Sequence, residues 1–271
     1  MENILPGLHD ISAERYMASA GVSCTMLNVL AEGTPAHLKA WMDGDRKIES
    51  EALSFGILAH YAILEGDKYK EKFHVRPEGL RLTTKEGRKW EEDHADKPSV
   101  KFEDGITLMR MVESVRRHPF ACRVLEGGKP EQSLFVYDEH ETLRKCRFDT
   151  LTLGNVLADV KTCLSASDGY FERQISRYRY HVRAAYYLDN CRLHGLEKDH
   201  FMFIAVEKMP PYAVRCLKLN GDCVSFGRKL YQADLQVYRN CVENDEWPAY
   251  SESYEEIALP SWEMRQILEL I

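Results

Sequence analysis

Along the first 120 residues apolar positions recur at helical spacing. Met26, Leu27, Leu30 and Ala31 share a face after Ser23, a capping residue, and Gly33 ends the run. Thr34 and Pro35 restart it, one as N-cap and the other at the first helical position, and Leu38, Trp41 and Met42 follow. A third helix, capped near Ser50, gathers Phe55, Leu58, Ala59, Ala62 and Ile63 on a core face. Leu53, Ile57, His60 and Leu64 make a second strip nearly opposite, which predicts a helix buried on both sides with His60 inside the protein. Residues 76–100 are polar and charged, predicting a mobile surface segment with a turn or two of helix. The next helix, about 104–117, turns Leu108, Val112 and Val115 inward and stops at Pro119.

The period then changes. Residues 132–136 and 143–161 alternate and collect Val, Phe, Leu and Thr, as strands do, with Gly154 and Asn155 at a hairpin turn. Ser167 caps a predicted helix to about residue 176, and a second spans about 180–194, closed by Gly195. Residues 201–206 are almost wholly apolar and fit a strand buried on both faces, paired with 213–219 across Pro210 and Pro211. A last helix over about 222–242 precedes an irregular tail. The order predicts an α/β fold: a mixed sheet flanked by helices, in one continuous domain over residues 1–271 whose lead-in to about 120 is mainly helical.

Composition narrows the function. No run approaches the roughly 18 apolar residues of a membrane span. With 36 basic against 43 acidic residues the net charge is -7, which argues against coating nucleic acid over the whole surface but leaves room for a local basic channel. The first six residues lack the basic and apolar regions of a secretory signal, so a cytoplasmic protein with reduced thiols is expected. The eight cysteines contain no CxxC pair and no metal-clip spacing, so free thiols are expected.

The most informative segment runs from Asp149 through Asp159 to Lys161. A three-residue loop of Leu153, Gly154 and Asn155 sets Asp149 opposite Asp159, and the strand period of two puts Lys161 on the same face. A two-residue loop would shift the register and split the pair. Like charges buried side by side are costly unless a cation sits between them, and magnesium is bound in this way through one or two carboxylates plus phosphate. The Val160 carbonyl would add an oxygen, and Lys161 would assist water and offset charge on phosphorus. The alternative is an exposed acidic pair with a solvated lysine. His60 is likewise open between a core histidine bonded to a carbonyl and a ligand. Arg173, Arg177, Arg179 and Arg183, interleaved with Tyr178, Tyr180, Tyr186 and Tyr187, suit either a backbone-tracking groove or an ordinary solvated helix face.

The run 157–162 with Ser165, Ala166, Ser167 and Phe171, followed by 180–189, resembles the nuclease core of the exodeoxyribonuclease VIII (RecE) C-terminal domain and its phage relatives in the PD-(D/E)xK superfamily. Phe55, Gly56 and His60, Glu131 within 128–133, residues 206–214 and 246–250 extend the resemblance over most of the chain. It implies a restriction-endonuclease-like core with His60, Glu131, Asp149 and Asp159 around a metal, Lys161 as catalytic lysine, and Arg183 and Tyr187 near DNA. It further implies a magnesium-dependent exonuclease, with manganese as substitute, that digests linear duplex DNA 5′ to 3′. The 3′ overhangs would go to an annealing recombinase, and a ring-shaped homo-oligomer would keep the enzyme on its strand. Phe148 stands where the superfamily has Pro. Arg183 stands where relatives carry Gln, and it can reach phosphate but cannot accept a hydrogen bond. A single-strand or flap nuclease, or a catalytically weakened DNA-binding or partner-binding module of the same fold, are the alternatives.

Overall fold

The computed structural model describes residues 4–45, 51–65 and 71–270. The chain opens with β1 (Gly7–His9), α1 (Ala13–Ala18), β2 (Val22–Ser23), α2 (Cys24–Glu32), α3 (Pro35–Met42) and α4 (Glu51–Leu64). Next come β3 (His74–Val75), α5 (Lys85–Asp93), β4 (Ser99–Val100), α6 (Phe102–Arg117) and α7 (Pro119–Leu125). The strand-rich part follows: β5 (Lys129–Pro130), β6 (Ser133–Tyr137), β7 (Leu143–Arg147), β8 (Thr150–Leu151) and β9 (Val156–Cys163). It is completed by α8 (Tyr170–Arg177), α9 (Tyr180–Leu193), β10 (His200–Glu207), β11 (Val214–Lys218), α10 (Gly221–Asn244) and α11 (Ser261–Leu270).

The helical start follows its caps. Ser23 accepts the Met26 N–H, and Pro35 opens α3 as expected, but the Thr34 hydroxyl pairs with the His37 ring at 2.8 Å instead of capping a backbone N–H. The cap expected at Ser50 and the side chain of Leu53 lie outside the described residues. α4 is not buried on both sides, because Ile57 is 47% exposed while Ala59 and Ala62 are fully covered. Pro119 both stops α6 and starts α7, where the His118 ring accepts the Ala121 N–H. Within 76–100 the helix is longer than a turn or two, since Thr84 caps the nine-residue α5. Ser167 does not cap α8; Gly169 holds that position in the left-handed region at φ 72°, and the Ser167 carbonyl accepts from Tyr170 and Phe171. The tail carries α11, which lacks a clear start signal in sequence.

The strands divide into a four-stranded sheet, β1-β6-β7-β2, and a five-stranded mixed sheet, β11-β10-β9-β8-β5, with β3 and β4 paired apart. In the larger sheet β9 and β10 run parallel and the other neighbours antiparallel. β10 is buried along nearly its whole length, as its apolar run predicts. One side chain set of β9 and β10 (Leu157, Phe201, Phe203, Ala205) packs with Leu27, Phe171, Val182, Tyr186 and Leu235 of α2, α8, α9 and α10. The alternate set (Ala158, Val160, Ile204, Val206) packs with Ala59 of α4 and Leu108, Met111 and Val115 of α6. Each large side chain so buried contributes roughly 1.5–3 kcal/mol. The period of two therefore carries Asp159 and Lys161 onto the α9 side of the sheet.

The two sheets share one ribbon. β5 pairs with β8 in the same register as β6 with β7, so 129–137 and 143–151 form a single bent hairpin. At the bend Phe148 N–H donates to Gln132 O at 2.8 Å and Glu131 N–H to Asp149 O at 3.1 Å, with Glu131 at φ 56°. The strand expected from 143 to the hairpin turn at Gly154 and Asn155 is thus interrupted at Phe148 and Asp149, where the ribbon changes sheets.

Candidate active site

The bend delivers the first acid. β8 pairs Thr150 with Ala158, which is the register the three-residue loop requires, and Asp149 comes one residue before β8 as Asp159 comes one residue after Ala158. Because the ribbon turns away at Phe148, the Val160 N–H finds the Asp149 carboxylate, which accepts it at 2.8 Å. His60 of α4 comes to 3.6 Å from the same carboxylate oxygen. Phe148, where the superfamily has Pro, is buried and packs edge-on to Tyr187 with ring centroids 5.7 Å apart.

Asp159 lies deepest, its side chain 3% exposed. It pairs directly with Lys161, whose ammonium also lies 4.0 Å from Asp149, and Arg183 of α9 approaches its other oxygen at 3.9 Å. The Lys161 Nζ also donates to the Val160 carbonyl at 3.2 Å and sits 5.4 Å from the centre of the Tyr180 ring. Side-chain exposure rises outward to 22% at His60 and 27% at Arg183, so solvent reaches the acids past these two residues.

The electrostatics differ between the two acids. Burial raises the Asp149 carboxyl, but His60, Lys161, Arg183 and the Val160 N–H together hold it below the usual value. Burial and then the neighbouring Asp149 charge push Asp159 above its usual value despite Lys161 and Arg183. Burial also raises Glu131, against its 2.6 Å ion pair with Arg147.

These donors suit a hard divalent cation. Two neighbouring buried carboxylates call for positive charge between them, and carboxylate pairs with further positions left to water and phosphate are a usual magnesium-type arrangement. They do not form a closed cage: among the described residues no group of three His, Cys, Asp or Glu is drawn together closely enough to hold a metal by itself. Asp149 and Asp159 would hold the ion, with His60 at its border. Glu131 lies near but is clamped by Arg147, and the Val160 carbonyl is taken by Lys161.

The expected DNA-contacting residues separate. Arg183 joins the acids. Arg179 does not face a groove: its side chain, 17% exposed, donates to Asn28 and pairs with Asp234, tying α9 to α2 and α10. Tyr187 is likewise no stacking platform, since its ring is packed against Phe148 and Phe201. Arg173 and Arg177 are exposed on α8, and Arg177 lies over Tyr178, which stacks on Tyr180 beside Lys161. Tyr180, one of the tyrosines interleaved with the arginines in sequence, is the one placed beside Lys161, three residues before Arg183 on the same helix face. Burial raises its hydroxyl to about 12.

Residues 23–260 match the sequence profile of the family described as PDDEXK-like domain of unknown function (DUF3799). The chain belongs to this family. No curated protein matches it in sequence. Among solved structures, an inferred exonuclease from Eubacterium rectale is similar at TM-score 0.61 and 12% identity, covering 94% of this chain and 98% of its own. The alkaline exonuclease of Laribacter hongkongensis is similar at TM-score 0.39 and 10% identity, covering 96% and 97%. The PDDEXK-like α/β fold implied by the sequence resemblance is the fold of this DUF3799 chain.

Proposed function

We propose that this protein is a divalent-metal-dependent deoxyribonuclease that degrades linear duplex DNA from its ends. The observation that carries this reading is the convergence of Asp149, Asp159 and Lys161 at the bend of a PDDEXK-like core. Asp149 and Asp159 would hold the cation, magnesium or manganese, which when bound would supply Lewis acidity toward the scissile phosphate and make water more acidic at neutral pH. Lys161, fixed between Asp159, the Val160 carbonyl and the Tyr180 ring, presents its ammonium toward the site and offsets the charge that builds on phosphorus. Arg183, the most exposed member, meets a phosphate oxygen with its planar fork. His60 borders Asp149 and orients its carboxylate. Polarity 5′ to 3′, a 3′ overhang passed to an annealing recombinase, and a ring-shaped homo-oligomer complete the proposal, on the resemblance alone.

A second reading is favoured by one observation. Asp159 is already paired with Lys161 and close to Arg183, the charge balance of a core kept for binding without catalysis. The test is digestion of end-labelled linear duplex, closed circular duplex and single-stranded DNA with magnesium or chelator, for wild type and Lys161→Ala. We expect only the linear duplex to be degraded, chelator to stop it, and Lys161→Ala to lower the rate by about 10³-fold or more. DNA retained but uncut under every metal would establish the binding module instead.

A further inference from the structure

Asp149 comes beside Asp159 in only one register of β8 against β9, and the ladder that sets this register is short. β8 has two residues and gives β9 a single pair, Thr150 with Ala158, while its other edge meets only the two-residue β5. A hairpin so brief is marginal by itself, and a slip by one residue turns every side chain of the strand to the other face. Burial of the turn does not hold it either, since Leu153 at its tip is 81% exposed.

The turn is gripped from outside the hairpin. Lys198, in the connection from α9 to β10, is 8% exposed, and its ammonium donates to the Thr152 carbonyl at 2.7 Å and to the Gly154 carbonyl, and reaches the Thr152 hydroxyl at 3.5 Å. The next two residues hold the closing end: the N–H groups of Asp199 and His200 donate to the Asn155 carbonyl at 2.8 and 3.2 Å, and the Asn155 amide donates to the Asp199 carboxylate at 3.2 Å. The Thr152 hydroxyl in turn donates to the Val156 carbonyl across the mouth of the turn. Among the described residues no carboxylate pairs with the Lys198 ammonium, and burial pulls it below its usual value. A methionine would fill the same space without that cost but would leave the carbonyls of a tight turn bare. What the buried charge secures is the shape of the turn.

We propose that Lys198 is a positioning residue for the two-acid site: by fixing the turn at 152–155 it sets the register that brings Asp149 to Asp159. Buried as it is, it meets neither DNA nor a bound ion itself. Its consequence for catalysis rests on the nuclease function proposed above. Its consequence for geometry does not, because the Val160 N–H, which the Asp149 carboxylate accepts at 2.8 Å, reports the register without metal.

The test sets Lys198→Met beside Lys145→Met in the full chain. Lys145 is the matched case, 5% exposed on β7 with its ammonium donating to Tyr16 O at 3.0 Å and Ser19 O at 2.6 Å, so each change strips backbone carbonyls of a buried ammonium. With chelator present, hydrogen exchange read by NMR should be at least tenfold faster at the Val160 amide, relative to the amides of the doubly paired β10, in Lys198→Met and unchanged in Lys145→Met. With magnesium, calorimetry should show binding weakened at least tenfold in Lys198→Met, and cleavage of linear duplex should lose about 10²-fold in kcat with KM within about twofold. Lys198→Arg, which keeps the charge and the donors, should recover most of both. An unchanged ratio of Val160 to β10 exchange, or the same magnesium affinity and kcat in the two methionine variants, would reduce Lys198 to a folding residue and overturn the proposal. A wild type that binds no magnesium and cuts nothing would overturn the nuclease function instead, and the Val160 exchange would still decide whether Lys198 sets the register. If circular dichroism shows Lys198→Met unfolded, one glycine inserted between Leu153 and Gly154 takes its place. It lengthens the turn at its exposed tip without touching the core, and unchanged Val160 exchange in that chain would overturn the proposal.

Discussion

Helix α9 carries a charged cluster near each end, and the folded protein treats the central acid of each in opposite ways. Near its start, Asp159 faces Arg183 and Lys161, yet burial and the adjacent Asp149 push its carboxyl up. Near its end, burial works against Asp189 as well, but Arg228, Tyr231 and Arg192 outweigh it and hold the carboxyl below its usual value. Both acids are buried and each has two basic neighbours. What separates them is the second carboxylate at the first cluster and the number of hydrogen bonds at the second. Folding favours the charged form of Asp189 and disfavours that of Asp159, which is the difference the proposed metal-holding role of Asp159 requires.

The largest effect that would break this contrast is at the structural end. Asp189→Ala leaves Arg228 and Tyr231 without their shared acceptor and should cost about 3–5 kcal/mol of unfolding free energy, as breaking a buried pair does. Urea unfolding at pH 7 measures it. The sign in pH follows from the lowered carboxyl: its contribution is present above the ordinary value of 3.8 and is lost as pH falls through the lower folded value. Wild type should therefore lose its advantage over the variant in acid. A loss below 1 kcal/mol at pH 7 would place Asp189 in the same class as Asp159.

Arg179→Ala is the next in size. Its contacts with Asn28 and Asp234 join α9 to α2 and α10, and their loss should cost about 1.5–3 kcal/mol. Steady-state cleavage of linear duplex by the surviving folded protein should be unchanged, because the guanidinium faces inward. A selective rise in KM for duplex would return Arg179 to the DNA path.

Part of this contrast was legible in the chain itself. The spacing of Asp149, Asp159 and Lys161 with the loop at Gly154 is local, so the pairing of Thr150 with Ala158 follows from the strand period. The capping by Ser23 and the burial of β10 are local too. The bend at Phe148 was not legible, because both halves of the ribbon alternate alike and the break is made by where Glu131 and Gln132 cross beside it. Arg179 and Tyr187 have the same composition signal as Arg183, and only packing turned them inward. Asp189 meets Arg228 39 residues away and Arg144 meets Tyr186 and Tyr231 still farther along, which no period records. Pro119 gave a stop and concealed a start, since Pro serves both.

The smallest effect sharpens the comparison most, because its sign is opposite. Asp159→Asn is the near-isosteric neutral form of an acid whose folded carboxyl is raised, so the native state should prefer the variant to the charged wild type. With chelator present at pH 7, unfolding should show a gain of about 1 kcal/mol, the size typical of relieving an active-site strain, while duplex cleavage is lost. Magnesium should then raise the Tm of wild type but not of the variant, since one of the two facing carboxylate charges is gone. A variant that is destabilised without metal would mean that Lys161 and Arg183 already complete the Asp159 charge. The acid would then be structural at both ends of α9, and the cation would have to be sought at Asp149, His60 and Glu131 alone.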